Sequence, residues 1–320
     1  LADPEWSNKA LSGRSEEIRP CISCLNCMKT MAAGNMSCAV NAQACHEGSR
    51  LNIRPDGAGR PVVVIGGGPA GMEAARVLAL RGFQVTLFEK ESELGGALLL
   101  AAKPPHKEKI AWFIRYLTCQ LQAFEVAIRC NTDATPELVS ALNPYAVFVA
   151  AGASPAVPHR MPGIQGNQVY TASDVLSGKV SFTGKNIVLI GGGMTGLETA
   201  EYLASQGNRV SVYEMLSEVA SGEHFQNIID VEKRLQSVPQ FTGHQLVEIT
   251  ADNCIFKTKD GAAVTVPCDA VVLSMGMHPN LSYAEQFSNF PRYQVLGTNA
   301  VYSSIGPAVE SGFMAAYQLD

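Results

Sequence analysis

The sequence predicts an α/β protein in which two βαβ units, each built around a glycine turn, share one chain behind a short cysteine-rich segment. Three observations carry this. Residues 60–90, "RPVVVIGGGPAGMEAARVLALRGFQVTLFEK", and residues 185–215, "KNIVLIGGGMTGLETAEYLASQGNRVSVYEM", are near copies of one another. Residues 20–40, "PCISCLNCMKTMAAGNMSCAV", gather Cys21, Cys24, Cys27 and Cys38 ahead of both. A length of 320 residues with 47% hydrophobic content is enough for two domains with sizeable cores.

Each copy opens with a β-branched run, turns through three glycines, continues with apolar residues at helical spacing and ends in a second β-rich run. Gly66 and Gly191 allow a tight turn out of the first strand, Gly68 and Gly193 let the backbone approach a pyrophosphate, and Gly71 and Gly196 let the helix pack on the strands. The helix starts, at Pro69 and Ala70 in one copy and Met194 and Thr195 in the other, bring a partial positive charge and unpaired N–H groups, of which Pro69 itself has none, to the phosphates. Glu89, followed by Lys90, and Glu214 each lie 18 residues past the last glycine, where a carboxylate can accept hydrogen bonds from a ribose. This is the Rossmann-like pattern for binding a dinucleotide, present twice. In the second copy Met215 and Leu216 follow the acid and only Arg209 is near, so NADH is expected over NADPH.

Two further apolar strands, "PYAVFVAAGASP" and "CDAVVLSMGMHPN", end at Gly152 and Gly276, where the chain is expected to leave one domain and later return to it. The expected division is residues 1–57 as linker and cysteine segment, 58–155 with 277–320 as the first dinucleotide domain, and 156–276 as the second, inserted domain. "AAKPPHKEKIAWFIRYLTCQLQAFEVAI" reads as a helix whose Trp112, Phe113 and Tyr116 pack in the core.

The nine cysteines are unevenly spread, which speaks for a local site and against a disulfide framework. Three thiols two residues apart can reach three corners of one iron–sulfur cubane, and a fourth from a short loop closes it. A structural zinc, the competing reading, usually takes paired CxxC knuckles set farther apart. Cys45 reads as a spare thiol, and Cys119, Cys130, Cys254 and Cys268 stand alone, without a CxxC for a dithiol relay. The six histidines show no metal or nucleophile spacing.

With 24 basic and 29 acidic residues the net charge is −5, and no basic run stands out, so nucleic acid and anionic membranes are poor partner candidates. The apolar runs are too short to span a bilayer, the first 20 residues lack the features of a secretory signal, and a cytoplasmic location is expected. The start at Leu1, in a polar segment, reads as the cut edge of something longer.

In order and spacing, the four cysteines, "VVVIGGGPAGMEAA", "FEKESELGGALLLAAKPP", "VAAGASP" and "IVLIGGGMTGLETAEYL" resemble the C-terminal half of the multidomain ene-reductase family. Its members include 2,4-dienoyl-CoA reductase, the enoate reductases and trimethylamine dehydrogenase. The resemblance implies glutathione-reductase-like FAD and NADH domains behind a 4Fe-4S segment, and an FMN-binding (β/α)8 barrel of the old yellow enzyme type as partner. It implies an electron path from NADH through FAD and the cluster to FMN, which reduces an activated double bond. By position it gives Cys21, Cys24, Cys27 and Cys38 to the cluster; Gly66, Gly68, Gly71, Glu89, Gly95, Gly96 and the backbone of Ala134 to FAD; and Gly191, Gly193, Gly196 and Glu214 to NADH. Gly152, Gly276, Gly297 and Thr298 complete the expected cofactor contacts. Two departures stand out. Where the pattern has Gly-Asp near the C-terminus, this chain has Gly297-Thr298-Asn299, which keeps ADP open as the alternative to FAD. The cysteine spacing is also a variant, and the small subunit of glutamate synthase, a third relative in kind, needs more cysteines than are present here.

Overall fold

Apolar runs without polar alternation, such as PVVVI and NIVLI, are what a parallel strand covered on both faces requires. The computed structural model, in which residues 1–297 and 304–320 are described, places such runs at the centre of two sheets. The strands in chain order begin with β1 (Pro61–Ile65), β2 (Gln84–Phe88), β3 (Ala127–Arg129), β4 (Ala146–Val149) and β5 (Ala153–Pro155). Next come β6 (Val169–Thr171), β7 (Asn186–Ile190), β8 (Arg209–Tyr213), β9 (Gln240–Phe241) and β10 (His244–Ile249). The last are β11 (Asn253–Thr258), β12 (Ala263–Pro267), β13 (Ala270–Leu273), β14 (Met277–Pro279) and β15 (Gln294–Val295).

The chain falls into two units, Leu1–Ala102 with Glu108–Ser154 and His278–Asp320, and Lys103–Lys107 with Pro155–Met277. The first holds the parallel sheet β15-β4-β1-β2-β3 and the second the parallel sheet β6-β13-β7-β8-β9. In each, the order reverses beside the strand that precedes the glycine turn, β1 or β7, and such a reversal opens a crevice at the carboxyl ends of the strands. Period-two alternation feeds both faces: Val62 and Val64 join one core cluster while Val63 and Ile65 join the other. In the second unit Ile187 and Leu189 face one cluster, Val188 and Ile190 the other. The second unit adds an antiparallel sheet, β10-β11-β12. The connecting strands β5 and β14 pair with each other.

The helix Glu108–Ala123 buries Ile110, Phe113, Tyr116, Leu117 and Leu121 along one stripe. Trp112 was expected in that stripe and is 46% exposed, because it lies one position off it. The C-terminal helix Ile305–Tyr317 packs on the helix Pro69–Leu80, close enough that a Cβ on Gly312 would collide with the carbonyl oxygen of Ala70.

The cysteine-rich segment belongs to the first unit, and Ile22, Val40 and Ala42 enter its main core. Ahead of Cys21, Arg19 reaches a fully buried Glu73 on the helix Pro69–Leu80, with Nη2 to Oε1 at 3.8 Å. Glu73 is already gripped by Arg76, whose Nε and Nη2 donate to its two oxygens at 2.9 and 2.7 Å. Burial alone would push the Glu73 carboxyl up, but the Arg76 and Arg19 guanidiniums overcome it and hold it below the usual carboxylate range. Its stabilising contribution is therefore complete above the unfolded value near 4.5 and is lost as pH falls through the lower folded value. Glu73→Gln, which strands two buried cations, is expected to cost about 3–5 kcal/mol at neutral pH. It should also flatten the fall of the melting temperature below pH 4.5, as thermal denaturation across pH 3 to 7 would check.

Candidate functional site

The two glycine turns have the same geometry, bond for bond. Gly66 and Gly191 take φ of +103° and +107°, values that L side chains rarely adopt. A Cβ on Gly71 would collide with the carbonyl oxygen of Gly66, and one on Gly196 with that of Gly191, so each helix lies directly on its turn. A Cβ on Gly68 or Gly193 would meet nothing within 4 Å. The middle glycine thus borders open space at the helix N-terminus, where N–H groups of Pro69–Leu80 or Met194–Ser205 have no helical acceptor. Ala70 is buried, Pro69 and Met194 are half-buried and Thr195 is exposed.

The sequence places Glu89 and Glu214 as ribose acceptors, and the structure adds a second role. Glu89 Oε2 accepts from the Gly67 N–H at 2.6 Å and Oε1 from the Glu91 N–H at 2.9 Å. Glu214 repeats this with Gly192 at 2.7 Å and Leu216 at 2.8 Å. Each acid braces the glycine turn from the end of the neighbouring strand, and each oxygen keeps a lone pair for a sugar hydroxyl. A second brace comes from the chain beyond: Gly95 N–H donates to the Gly67 carbonyl and Ala220 N–H to that of Gly192, both at 2.8 Å. Gly96, at φ +52°, has room for a Cβ only 3.0 Å from Gly68 Cα, so it stands against the middle glycine.

Gly152 and Gly276 are exposed, take φ of +65° and +96°, and have open space where a side chain would be. Ala134 is buried, and its carbonyl lies 2.9 Å from the Tyr283 hydroxyl, which also lies 3.0 Å from Asp133. Burial, then the Asp133 carboxylate, push that phenol well above its usual value, so it stays protonated and caps this edge. Lys90 is exposed, with its Nζ 3.8 Å from Glu91. Gly297 N–H donates to Ser311 Oγ at 2.9 Å; Thr298 and Asn299 lie outside the described residues.

Cys21 and Cys24 are exposed, Cys27 and Cys38 half-buried, and none of the nine cysteines is in a disulfide. Positive φ at Ser23 and Leu25 turns the chain into the helix Asn26–Ala32, which carries Cys27. Thr30 Oγ1 accepts from the Ser37 N–H at 2.9 Å, and Asn26 reaches Ser37 as well, which returns the chain for Cys38. Burial, with smaller contributions from Cys38, Cys21 and Cys27, holds the Cys24 thiol above its ordinary value. Among the described residues no three His, Cys, Asp or Glu side chains form a group that could hold a metal ion. Cys45 is exposed, away from this pattern. Cys254 and Cys268, expected to stand alone, come together with sulfurs 3.8 Å apart in the buried core of the second unit. Cys254 lies on β11 and Cys268 just past the end of β12, the strand paired with it, a proximity that CxxC spacing does not encode.

The family model described as pyridine nucleotide-disulphide oxidoreductase matches residues 60–292. The chain belongs to this family. Membership implies FAD and NAD(H) as cofactors. The chain is 38% identical to an NADH oxidase of Thermoanaerobacter brockii, a match that covers 100% of this chain and 50% of that protein. It is also 38% identical to a bilirubin reductase of Mediterraneibacter gnavus, over 99% of this chain and 50% of the relative. Among solved structures, a 2-naphthoyl-CoA reductase bound to 2-naphthoyl-CoA superposes with a TM-score of 0.94 at 30% identity, covering 99% of this chain and 49% of that one. The chain thus spans about half the length of the relatives it matches, and the resemblance to multidomain reductases of this kind holds.

The third glycine is a packing position and the middle one borders open space, so the two should separate on substitution. Gly196→Ala is expected to lose about 1–3 kcal/mol of stability, read by urea denaturation. Gly193→Ala should leave the midpoint within error and weaken NADH binding about tenfold by calorimetry, a cost of about 1.4 kcal/mol.

Proposed function

We propose that this chain is an NADH-dependent oxidoreductase module that takes electrons from NADH and delivers them, by way of FAD and a 4Fe-4S cluster, to FMN in a barrel domain. There an activated C=C bond is reduced. The observation that carries the reading is the pair of equivalent glycine turns, each braced by its own acid, in a chain whose four-thiol loop is built into the first unit's core. The names of the relatives support it: one oxidises NADH, and the others reduce bilirubin and 2-naphthoyl-CoA, both conjugated molecules.

In this reading the first unit holds FAD, with its pyrophosphate at Gly66–Gly68 and the start of Pro69–Leu80, Gly95 and Gly96 alongside, Glu89 on the adenosine ribose and Ala134 at the adenine edge. The second unit holds NADH at Gly191–Gly193 and the start of Met194–Ser205, and Glu214 accepts from the ribose while repelling a 2′-phosphate. When bound, the flavin accepts electrons in pairs and the cluster passes them singly. Cys21, Cys24, Cys27 and Cys38 would hold that cluster. Three thiols with two residues between each pair and a fourth from a short loop, with no second CxxC knuckle, suit a cubane better than a single zinc ion.

A second reading keeps the fold and changes the chemistry. The first unit would hold ADP, as the replacement of Gly-Asp by Gly297-Thr298-Asn299 allows, and the chain would relay electrons without reacting with NADH. An anaerobic titration separates the two. Under the first reading NADH bleaches the flavin bands of the purified protein, and Cys38→Ser lowers its iron and acid-labile sulfide while binding of NADH persists. A spectrum indifferent to NADH, with ADP released on denaturation, overturns it in favour of the second.

A further inference from the structure

The group Arg19, Glu73 and Arg76 contains more charge than its own stability needs. Glu73 is satisfied by Arg76 alone, through two short, parallel hydrogen bonds. Arg19 stands 3.8 Å from the same carboxylate, donates from Nε to the Tyr116 hydroxyl at 3.2 Å, and has only 7% of its side chain exposed. Guanidiniums do not lose their protons, and Glu73 is held in its ionised form, so two cations face one anion and a single positive charge is left over in the interior. Asp3 accepts from the Arg19 backbone N–H and from Lys9 Nζ, and so is paired with a cation of its own. A buried, uncompensated cation is costly unless an anion lies on its other side. That other side is the cysteine loop. Arg19 stands two residues before Cys21, and Cys38 packs against the same core that holds Arg19's partner Tyr116.

We propose that the surplus positive charge of the Arg19–Glu73–Arg76 group is the fixed counter-charge of the four-cysteine site and raises the electron affinity of the cluster held there. This rests on the 4Fe-4S reading. A cluster bound by four thiolates is anionic and becomes more so on reduction, so a fixed cation at its edge favours the reduced state. The site then draws electrons from the flavin side by a buried charge, that of Arg19 set against the helix Pro69–Leu80, which salt cannot screen as it would a surface lysine. Lys109, half-buried, donates to Ser23 Oγ at 2.8 Å and is the more accessible counterpart.

The test is the midpoint potential of the cluster in the purified protein, reconstituted with iron and sulfide and titrated anaerobically by electron paramagnetic resonance. Arg19→Met leaves the Glu73–Arg76 pair intact and neutral, and should lower the equilibrium constant for cluster reduction about tenfold, about 59 mV for a one-electron couple. Arg19→Lys keeps the charge and should restore most of it, and Tyr116→Phe, which removes a hydrogen bond but no charge, should leave the potential where it was. An unchanged potential in a fully loaded Arg19→Met protein overturns the proposal. If Arg19→Met fails to hold iron, retention by Arg19→Lys supports the counter-charge, and loss from both overturns it by showing that the shape of arginine is what matters. Wild-type protein that takes up no iron or sulfide removes the cluster reading itself, a result that iron and sulfide analysis distinguishes from the others.

Discussion

Each unit depends on one close approach between backbone and backbone. The helix after the glycine turn lies against the carbonyl of the residue that makes the turn, and neither Gly71 nor Gly196 has space for a single carbon more. That contact fixes where the helix starts, and so where its unpaired N–H groups point. The acid at the end of the next strand then holds the middle of the turn by its N–H, while the strand beyond the sheet's reversal closes the other side with the carbonyl of Ala150 or Ser274. A dinucleotide site of this type is rigid before any ligand arrives, which lowers the ordering cost of binding.

The cysteine loop is held by different means. It has little regular structure and is fixed by a few apolar side chains, Ile22, Val40 and Ala42, sunk into the first unit's core, and by the buried charges around Arg19. Its own hydrogen bonds are short-range, between Asn26, Thr30 and Ser37. The division suits a segment whose four sulfurs must remain exposed or half-exposed while the chain around them stays in place.

Much of this is legible in the sequence, because duplication repeats the signal. The glycine spacing, the strands on either side and the acids at Glu89 and Glu214 follow from a pattern that only one local geometry satisfies. What stays hidden is tertiary. That both carboxylates also brace the turns requires knowing how close the strand end lies to it. Cys254 on β11 meets Cys268 just past the end of β12, a proximity that linear spacing does not encode. Tyr283 lies far along the chain from the Ala134 carbonyl that it covers. Trp112 faces out because one helical position is 100° from the next, and a cluster of aromatics in sequence is not a cluster in space. One missed signal was available: a glutamate and an arginine three residues apart inside "GMEAARVL", an otherwise apolar helix, cannot both be buried without being paired.

The connection between the units has a consequence for how the protein is made. The first sheet needs β15, and its helix Pro69–Leu80 needs the helix Ile305–Tyr317, both of which follow the whole of the second unit along the chain. The second unit needs nothing after β13 to complete its sheet. As the chain leaves the ribosome, the interrupting unit can therefore close first, and the unit that it interrupts waits, with one sheet edge and one helix face bare, until the last residues arrive. Once the interrupting unit has folded, with β5 and β14 paired at its two ends, residues 155–277 no longer act as a flexible loop whose closure costs entropy.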